Sequence, residues 1–249
     1  PYFDPRAIEE KVQKARLDFD RLRRRQEGDY ERYLLEWRDR RWDNPSAKMP
    51  RDLVKYVSNE PRAFADRIIA ILAASKMIAR VPYGANIEAR RAFGEMKEKF
   101  FIGCLREADT RLADLIQPSL QSSLAFHINI RGWFAGRAML LQGPDGRTIV
   151  DVSPFDPINT FHATDSEGVA WVCHMTRRPK EEFASLLSTS ASVSDEQGVE
   201  IIDYYDRQVN CIIADGQFVK PPTPHNAGRV PCFIGAVGAA PLIARTEWM

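Results

Sequence analysis

Arg131-Gly132-Trp133-Phe134-Ala135-Gly136-Arg137-Ala138 is the stretch at which the chain changes character. Before it, apolar residues recur at steps of three and four, the period of a helix with one buried face; after it they alternate, the period of a strand. Residues 1–134 therefore read as helical and residues 135–235 as strands. A run of helices followed by a run of strands defines an α+β class: long N-terminal helices, then an antiparallel β-rich part. Three segments follow, a charged helical arm (1–57), a second helical part (58–134) and the β-rich part (135–249).

Working back from the switch, Pro118 suits the first position of a helix that runs toward Phe126, His127 and Trp133. Ahead of it, Asn86 opens a helix whose face is Phe101, Leu105, Ala108, Leu112 and Leu115. Ser58 or Asn59 caps an earlier helix, with Glu60 and Pro61 in its first turn, an apolar face of Phe64, Ile68, Ile71 and Leu72, and an end at Pro82-Tyr83-Gly84. Residues 6–42 carry a narrow stripe, Ile8, Val12, Ala15, Phe19 and Leu22, interrupted at Gly28 and resumed by Tyr30, Tyr33, Leu34 and Trp37. A continuous helix there spans about 55 Å, and so thin a stripe is expected to lie on another subunit or on the rest of a larger body.

Working forward, Arg137–Gln142 and Arg147–Val152 flank the turn Gly143-Pro144-Asp145-Gly146 as a hairpin. Val169–Met175, Ile201–Asp206 and Val209–Ala214 read as strands, as do Phe218–Lys220 and Val230–Val237. Pro221-Pro222-Thr223-Pro224 reads as a rigid extended link, and Ser185–Glu196 as a mobile loop. Trp133, Phe134 and Trp171 are expected to be buried where the helical and strand parts meet.

The 249 residues carry 35 Lys and Arg against 34 Asp and Glu, so no global charge points to nucleic acid or membrane. Residues 1–130 hold 25 basic and 20 acidic side chains and the remainder 10 and 14, a small asymmetry. The longest apolar run, Ile68–Ala74, is far below the ~18–20 residues of a membrane span. Cys104, Cys173, Cys211 and Cys232 are widely spaced in apolar surroundings, the pattern of reduced core thiols made in a cytosol. The N-terminal Pro1-Tyr2-Phe3-Asp4-Pro5 has none of the features of a signal peptide.

Chemistry is hard to find. His127, His162, His174 and His225 stand apart, without metal-ligand spacing, so no metal or other cofactor is expected. Gly235-Ala236-Val237-Gly238 lacks the following helix of a dinucleotide loop, and no phosphate-loop or nucleophile-elbow motif exists. Asp203 and Asp206, with Asp151 and Asp156 nearby in sequence, are three apart on a strand; they point to opposite faces and read as strand-edge charge. Arg21, Arg23, Arg24 and Arg25 are interleaved with Asp18, Asp20, Glu27 and Asp29, the composition of a salt-bridged helix face. No catalytic set emerges, which favours an assembly role over an enzyme.

Ordered blocks add a resemblance. Ser58-Asn59-Glu60-Pro61-Arg62, Arg80-Val81-Pro82, Arg131–Ala138, Pro154-Phe155-Asp156-Pro157, Gly168-Val169-Ala170-Trp171-Val172, Asp203-Tyr204-Tyr205-Asp206, Gly228-Arg229-Val230-Pro231 and Gly238-Ala239-Ala240-Pro241 together resemble the wing region of tailed-phage portal proteins. The resemblance covers about residues 55–243 and implies a wing-like α+β fold. It also implies a homo-oligomeric ring, usually of twelve subunits, at the portal vertex of the virion capsid, assembled in the host cytoplasm. Its implied partners are the major capsid protein, terminase, head–tail adaptor proteins and genomic double-stranded DNA in the channel, with no membrane. Portal proteins continue through stem helices, clip, tunnel loop and often crown, which the chain is expected to lack. Ile8, Val12, Phe19, Trp37, Trp133, Arg137 and Trp171 are the candidates for subunit-interface or packing roles. Another virion structural or adaptor protein, or an enzyme of unfamiliar type, are the alternative readings.

Overall fold

The stripe of the N-terminal arm is covered by the chain's own sheet. The computed structural model describes residues 3–35, 58–81, 88–143, 145–179 and 198–237, with residues 88–92 as backbone alone. Asp4 caps α1 (Pro5–Asp18) by accepting from the Arg6 amide at 3.0 Å, and Pro5 begins the helix where a missing N–H costs nothing. Phe19 (φ −85°, ψ −2°) separates α1 from α2 (Asp20–Tyr33). The long helix therefore breaks at Phe19 and not at Gly28, which lies buried inside α2. Ile8, Val12, Ala15, Phe19 and Leu22 are all buried.

They meet one face of a five-stranded antiparallel sheet in the order β3-β4-β5-β6-β7: Thr160–Asp165, Gly168–Arg178, Val199–Asp206, Val209–Ala214 and Gln217–Pro224. Register pairs Phe161 with Cys173, Cys173 with Tyr204 and Tyr204 with Cys211, a row of side chains on that face. Trp171, Met175, Ile202 and Ile213 complete it, in one cluster with the helical stripe. Of the two roles expected for Ile8, Val12 and Phe19, subunit interface or packing, the structure places them in packing, against an apolar sheet face of the same chain.

The opposite face meets a three-stranded sheet, β2-β1-β8 (Thr148–Phe155, Trp133–Gln142, Cys232–Ala236), through Ala135, Phe155, Val172, Tyr205 and Val230. Helix α5 (Leu120–Arg131) enters β1 through Gly132, whose left-handed φ of 68° turns the chain sharply with no Cβ in the way. Ser119 caps α5 by accepting from the Ser122 amide, which leaves Pro118 before the helix instead of at its first position. Trp133 and Trp171 are buried at the expected seam. Phe134 is half-buried on the other side of β1, tilted against Phe233 with ring centroids 6.4 Å apart.

Other expectations change too. Strand β1 starts four residues before Arg137, and β3 is an additional strand. Pro221, Pro222 and Pro224 belong to β7, an edge strand, and the pairing shifts between Asn210 and Ile212, where the prolines cannot donate. Asp203 is not strand-edge charge, because β5 is the central strand of its sheet. Ser185–Glu196, Trp37 and Pro82-Tyr83-Gly84 lie outside the described residues. Among those described, no helix is long and apolar enough to cross a membrane.

Trp133→Ala is expected to destabilise the chain by about 3–5 kcal/mol, as other core aromatic truncations do. Urea unfolding measures this, and an unchanged midpoint would show that Trp133 does not join the layers.

Candidate functional site

Of the large exposed apolar side chains among the described residues, all but Leu17, Leu34, Leu140 and Val237 fall between Phe64 and Ile116. They belong to α3 (Glu60–Ala74), α4 (Glu88–Asp114) and the segments that follow them. This concentration, not a pocket, is the candidate site. Helix α3 packs Ala65 inward, and Asn129 and Gln121 of α5 donate to the Ala65 and Leu72 carbonyls. A small residue brings α3 close to α5 and rolls Phe64 and Ile71 outward, each 67% exposed. The expected buried face of α3 is therefore largely a surface.

Helix α4 divides along its length. Ala108 and Leu112 are buried at its C-terminal end, where the helix packs on β2. Phe101 and Leu115 of the same expected face are 50% and 64% exposed. Nearer the N-terminus, Phe93, Met96 and Phe100 follow at steps of three and four, a stripe that points to solvent. Ile116, 96% exposed, turns out of α4 with φ of 57°. That left-handed conformation costs a β-branched residue roughly 1–2 kcal/mol relative to its ordinary backbone.

Beside that packed end of α4 lies a polar cluster between the layers, built on Arg137. Its Nε donates to Asp151 Oδ2 at 2.9 Å, and Nη1 donates to Tyr205 Oη at 2.7 Å and Asp203 Oδ2 at 3.2 Å. Tyr205 in turn donates to Asp203 Oδ2 at 2.6 Å, and Ser153 to Asp151 Oδ1 at 3.0 Å. Arg111 of α4 reaches Asp151 Oδ1 at 3.5 Å. Burial opposes the Arg137 charge, but Tyr205, Asp151 and Asp203 outweigh it and raise its pKa. Burial pushes Asp203 above the ordinary carboxylate range, with Tyr205 and Arg137 pulling it back. Such a cluster, paired across two sheets and a helix, fixes the angle between them.

A second cluster joins α2, α5 and the turn after β2. Arg131 grips Asp156 with two hydrogen bonds of 3.1 and 3.0 Å, and Gln26 and Arg131 exchange bonds with each other's carbonyls at 3.1 and 2.9 Å. His127 lies 3.9 Å from Asp156, and burial lowers its pKa.

The structure thus divides the sequence candidates. Ile8, Val12, Phe19, Trp133 and Trp171 are intramolecular packing residues, and Arg137 is an inter-layer ion-pair centre. Sequence reasoning missed the roles of Arg111, Arg131, Asp151 and Gln26. One signal was available for Arg137: it alternates with Ala135 and Met139, so it had to point inward beside them. Among the described residues, no group of three or more His, Cys, Asp or Glu could hold a metal ion. No protein-family model matches the chain, and no curated protein matches it.

Two consequences can be measured. Ile116→Gly is expected to stabilise the free chain by about 1 kcal/mol, since glycine accepts the left-handed turn without a Cβ; a lower thermal midpoint would refute the strain. His174, half-buried and stacked on Phe155 at 4.3 Å, has its pKa lowered by desolvation to about 4. Below about pH 6.5 the unfolded imidazole takes a proton that the folded one refuses. Its contribution is therefore present above pH 6.5 and falls by about 3 kcal/mol as pH drops toward 4. His174→Gln should flatten that part of the stability–pH curve, and an unchanged slope would count against the desolvated neutral imidazole.

Proposed function

We propose that the chain is a structural subunit of a portal-type ring at a phage capsid vertex. Its role there is to shape the channel for DNA packaging and ejection and to present surfaces to terminase, tail adaptors and capsid. The observation that carries this reading is the apolar surface of α3 and α4. Phe64, Ile71, Phe93, Met96 and Phe100 are half to two-thirds exposed, a concentration that marks a protein-contact surface. The ordered blocks of residues 55–243 support the portal class for that assembly. Arg111 and Asp151 support it mechanically, because they tie α4 to the Arg137 cluster and so hold the apolar stripe at a set angle. The surface is helical and presented from a fixed platform, which suits repeated copies closing into a ring.

The test is native mass and negative-stain imaging of the same micromolar sample. Closed rings of about twelve copies are expected, since obligate interfaces bury on the order of 2,000 Å² or more. Phe64→Asp combined with Phe100→Asp should leave monomer stability nearly unchanged, because both side chains are already largely in water. It should weaken association by about 30-fold or more, the effect of losing a strong contact residue. Monomeric wild-type protein, or rings that survive both substitutions, would overturn the assignment of the ring contact to this face.

A further inference from the structure

Three arginines from three elements line one cavity of about 240 Å³ beside the N-terminal helices: Arg16 of α1, Arg23 of α2 and Arg177 of β4. Phe161 and Met175 supply apolar wall, and Asn159 and Thr176 supply polar groups. Among the described residues, Glu200 is the one acid of the lining. Its carboxylate is already engaged, accepting from Gln13 Nε2 at 3.1 Å and Arg16 Nη1 at 3.1 Å. Arg23 spends Nε on the Ile158 carbonyl at 3.2 Å and rests over the Phe161 ring, but pairs with no carboxylate among the described residues. Arg177 likewise has no ion-pair partner among them. Among the described lining residues, three guanidiniums and one carboxylate leave an excess of two positive charges.

Other arginines on the same helix behave differently. Arg24 pairs with Asp20 at 2.8 Å and Arg32 with Asp29 at 2.6 Å, each within one helical turn. Arg23, one residue from Arg24, faces the sheet instead of this neutralised surface. Burial, then the nearby Arg16 charge, lowers its pKa, with Asp20, Glu27 and Glu200 acting in the opposite direction. Like charges held together in a half-enclosed space repel, and a bound anion converts that repulsion into attraction.

We propose that this cavity binds a phosphate group. Planar guanidinium forks match phosphate oxygens bidentately, which a general surface charge does not. The cavity is smaller than the roughly 300–1,000 Å³ of a pocket that engulfs a whole drug-sized ligand. It therefore takes the phosphate and leaves the rest of the ligand outside. That group comes either from a small ligand, such as inorganic phosphate or a nucleotide, or from a DNA backbone. The site is independent of ring assembly: a monomer that binds phosphate and a ring that does not are separate results.

The experiment compares thermal midpoints of the full chain in chloride and in inorganic phosphate at matched ionic strength. A saturable rise with phosphate is expected. Arg177→Gln should weaken that response about tenfold. Without phosphate its midpoint should stay within about 2 °C of wild type, because the Arg177 side chain makes no hydrogen bond or ion pair among the described residues. Arg23→Gln provides a second variant on a different element. A second arm measures binding of a short duplex lacking terminal phosphates. Duplex binding that phosphate displaces and Arg177→Gln weakens identifies a backbone ligand; a phosphate response without duplex binding identifies a small one. Equal midpoints in phosphate and chloride, or a response that both variants retain in full, overturn the proposal.

Discussion

One face of the five-stranded sheet carries Phe161, Trp171, Cys173, Met175, Ile202, Tyr204, Cys211 and Ile213, and it must be covered for the sheet to persist in water. Helix α1 does this by crossing the strands. Near its N-terminus, Arg6 and Glu9 approach Gly216 at the β6–β7 turn; Arg16 reaches Glu200 on β5; and Phe19 packs edge-on against Phe161 of β3. Five strands at about 4.8 Å spacing are about 19 Å across, and fourteen helical residues rise about 21 Å. The helix runs out of sheet at Phe19, so the chain turns there.

From that turn the remaining layers are set in sequence. Helix α2 exchanges hydrogen bonds with α5 through Gln26 and Arg131, and Tyr30 and Tyr33 both pack edge-on against Phe126. Arg131 binds Asp156 at the end of β2, while Gly132 delivers the chain into β1. Four residues further along β1, Arg137 reaches across to Asp203 and Tyr205. The covered sheet face and the ion-paired face are thus connected by continuous contacts. Lys11 adds a local version of the same coupling, donating to Tyr204 Oη at 3.1 Å while lying over the Trp171 ring.

Periodicity made several of these elements readable. The stripe from Ile8 to Leu22, the α5–β1 switch and the β5–β6 hairpin all have local signals that agree with their tertiary surroundings. The break at Phe19 left no such mark, because Phe19 keeps its place in the stripe whether the helix bends or not. Strand β3 was obscured by Pro157 on one side and the Asp165 turn on the other. The spacing of Asp203 and Asp206 did put them on opposite faces: Asp203 joins Arg137, while Asp206 accepts from the Gln208 and Val209 amides in the turn. Edge or centre, however, is a property of strand order, which spacing does not encode. Arg23 failed for a related reason, since a basic run names the charges but not the helix face each occupies.

The same limit explains why apolar stripes on two pairs of helices have opposite fates. A stripe indicates surface that favours burial, but the area available elsewhere decides where that burial occurs. The sheet offers two apolar faces; α1 and α2 take one, and β1, β2 and β8 take the other. Helix α5 lies against β1, α2 and α3, and the C-terminal end of α4 occupies β2. Among the described residues, Phe64, Phe93 and Phe100 therefore remain without a covering layer, although their stripes contain larger side chains than Val12 or Ala15. Ile116, past the other end of α4, adds a strained and almost fully exposed turn. Exposure at Phe64, Phe93 and Phe100 is thus a consequence of which layers the described elements supply, while the Arg111–Asp151–Arg137 connection ties the other end of α4 to the sheets.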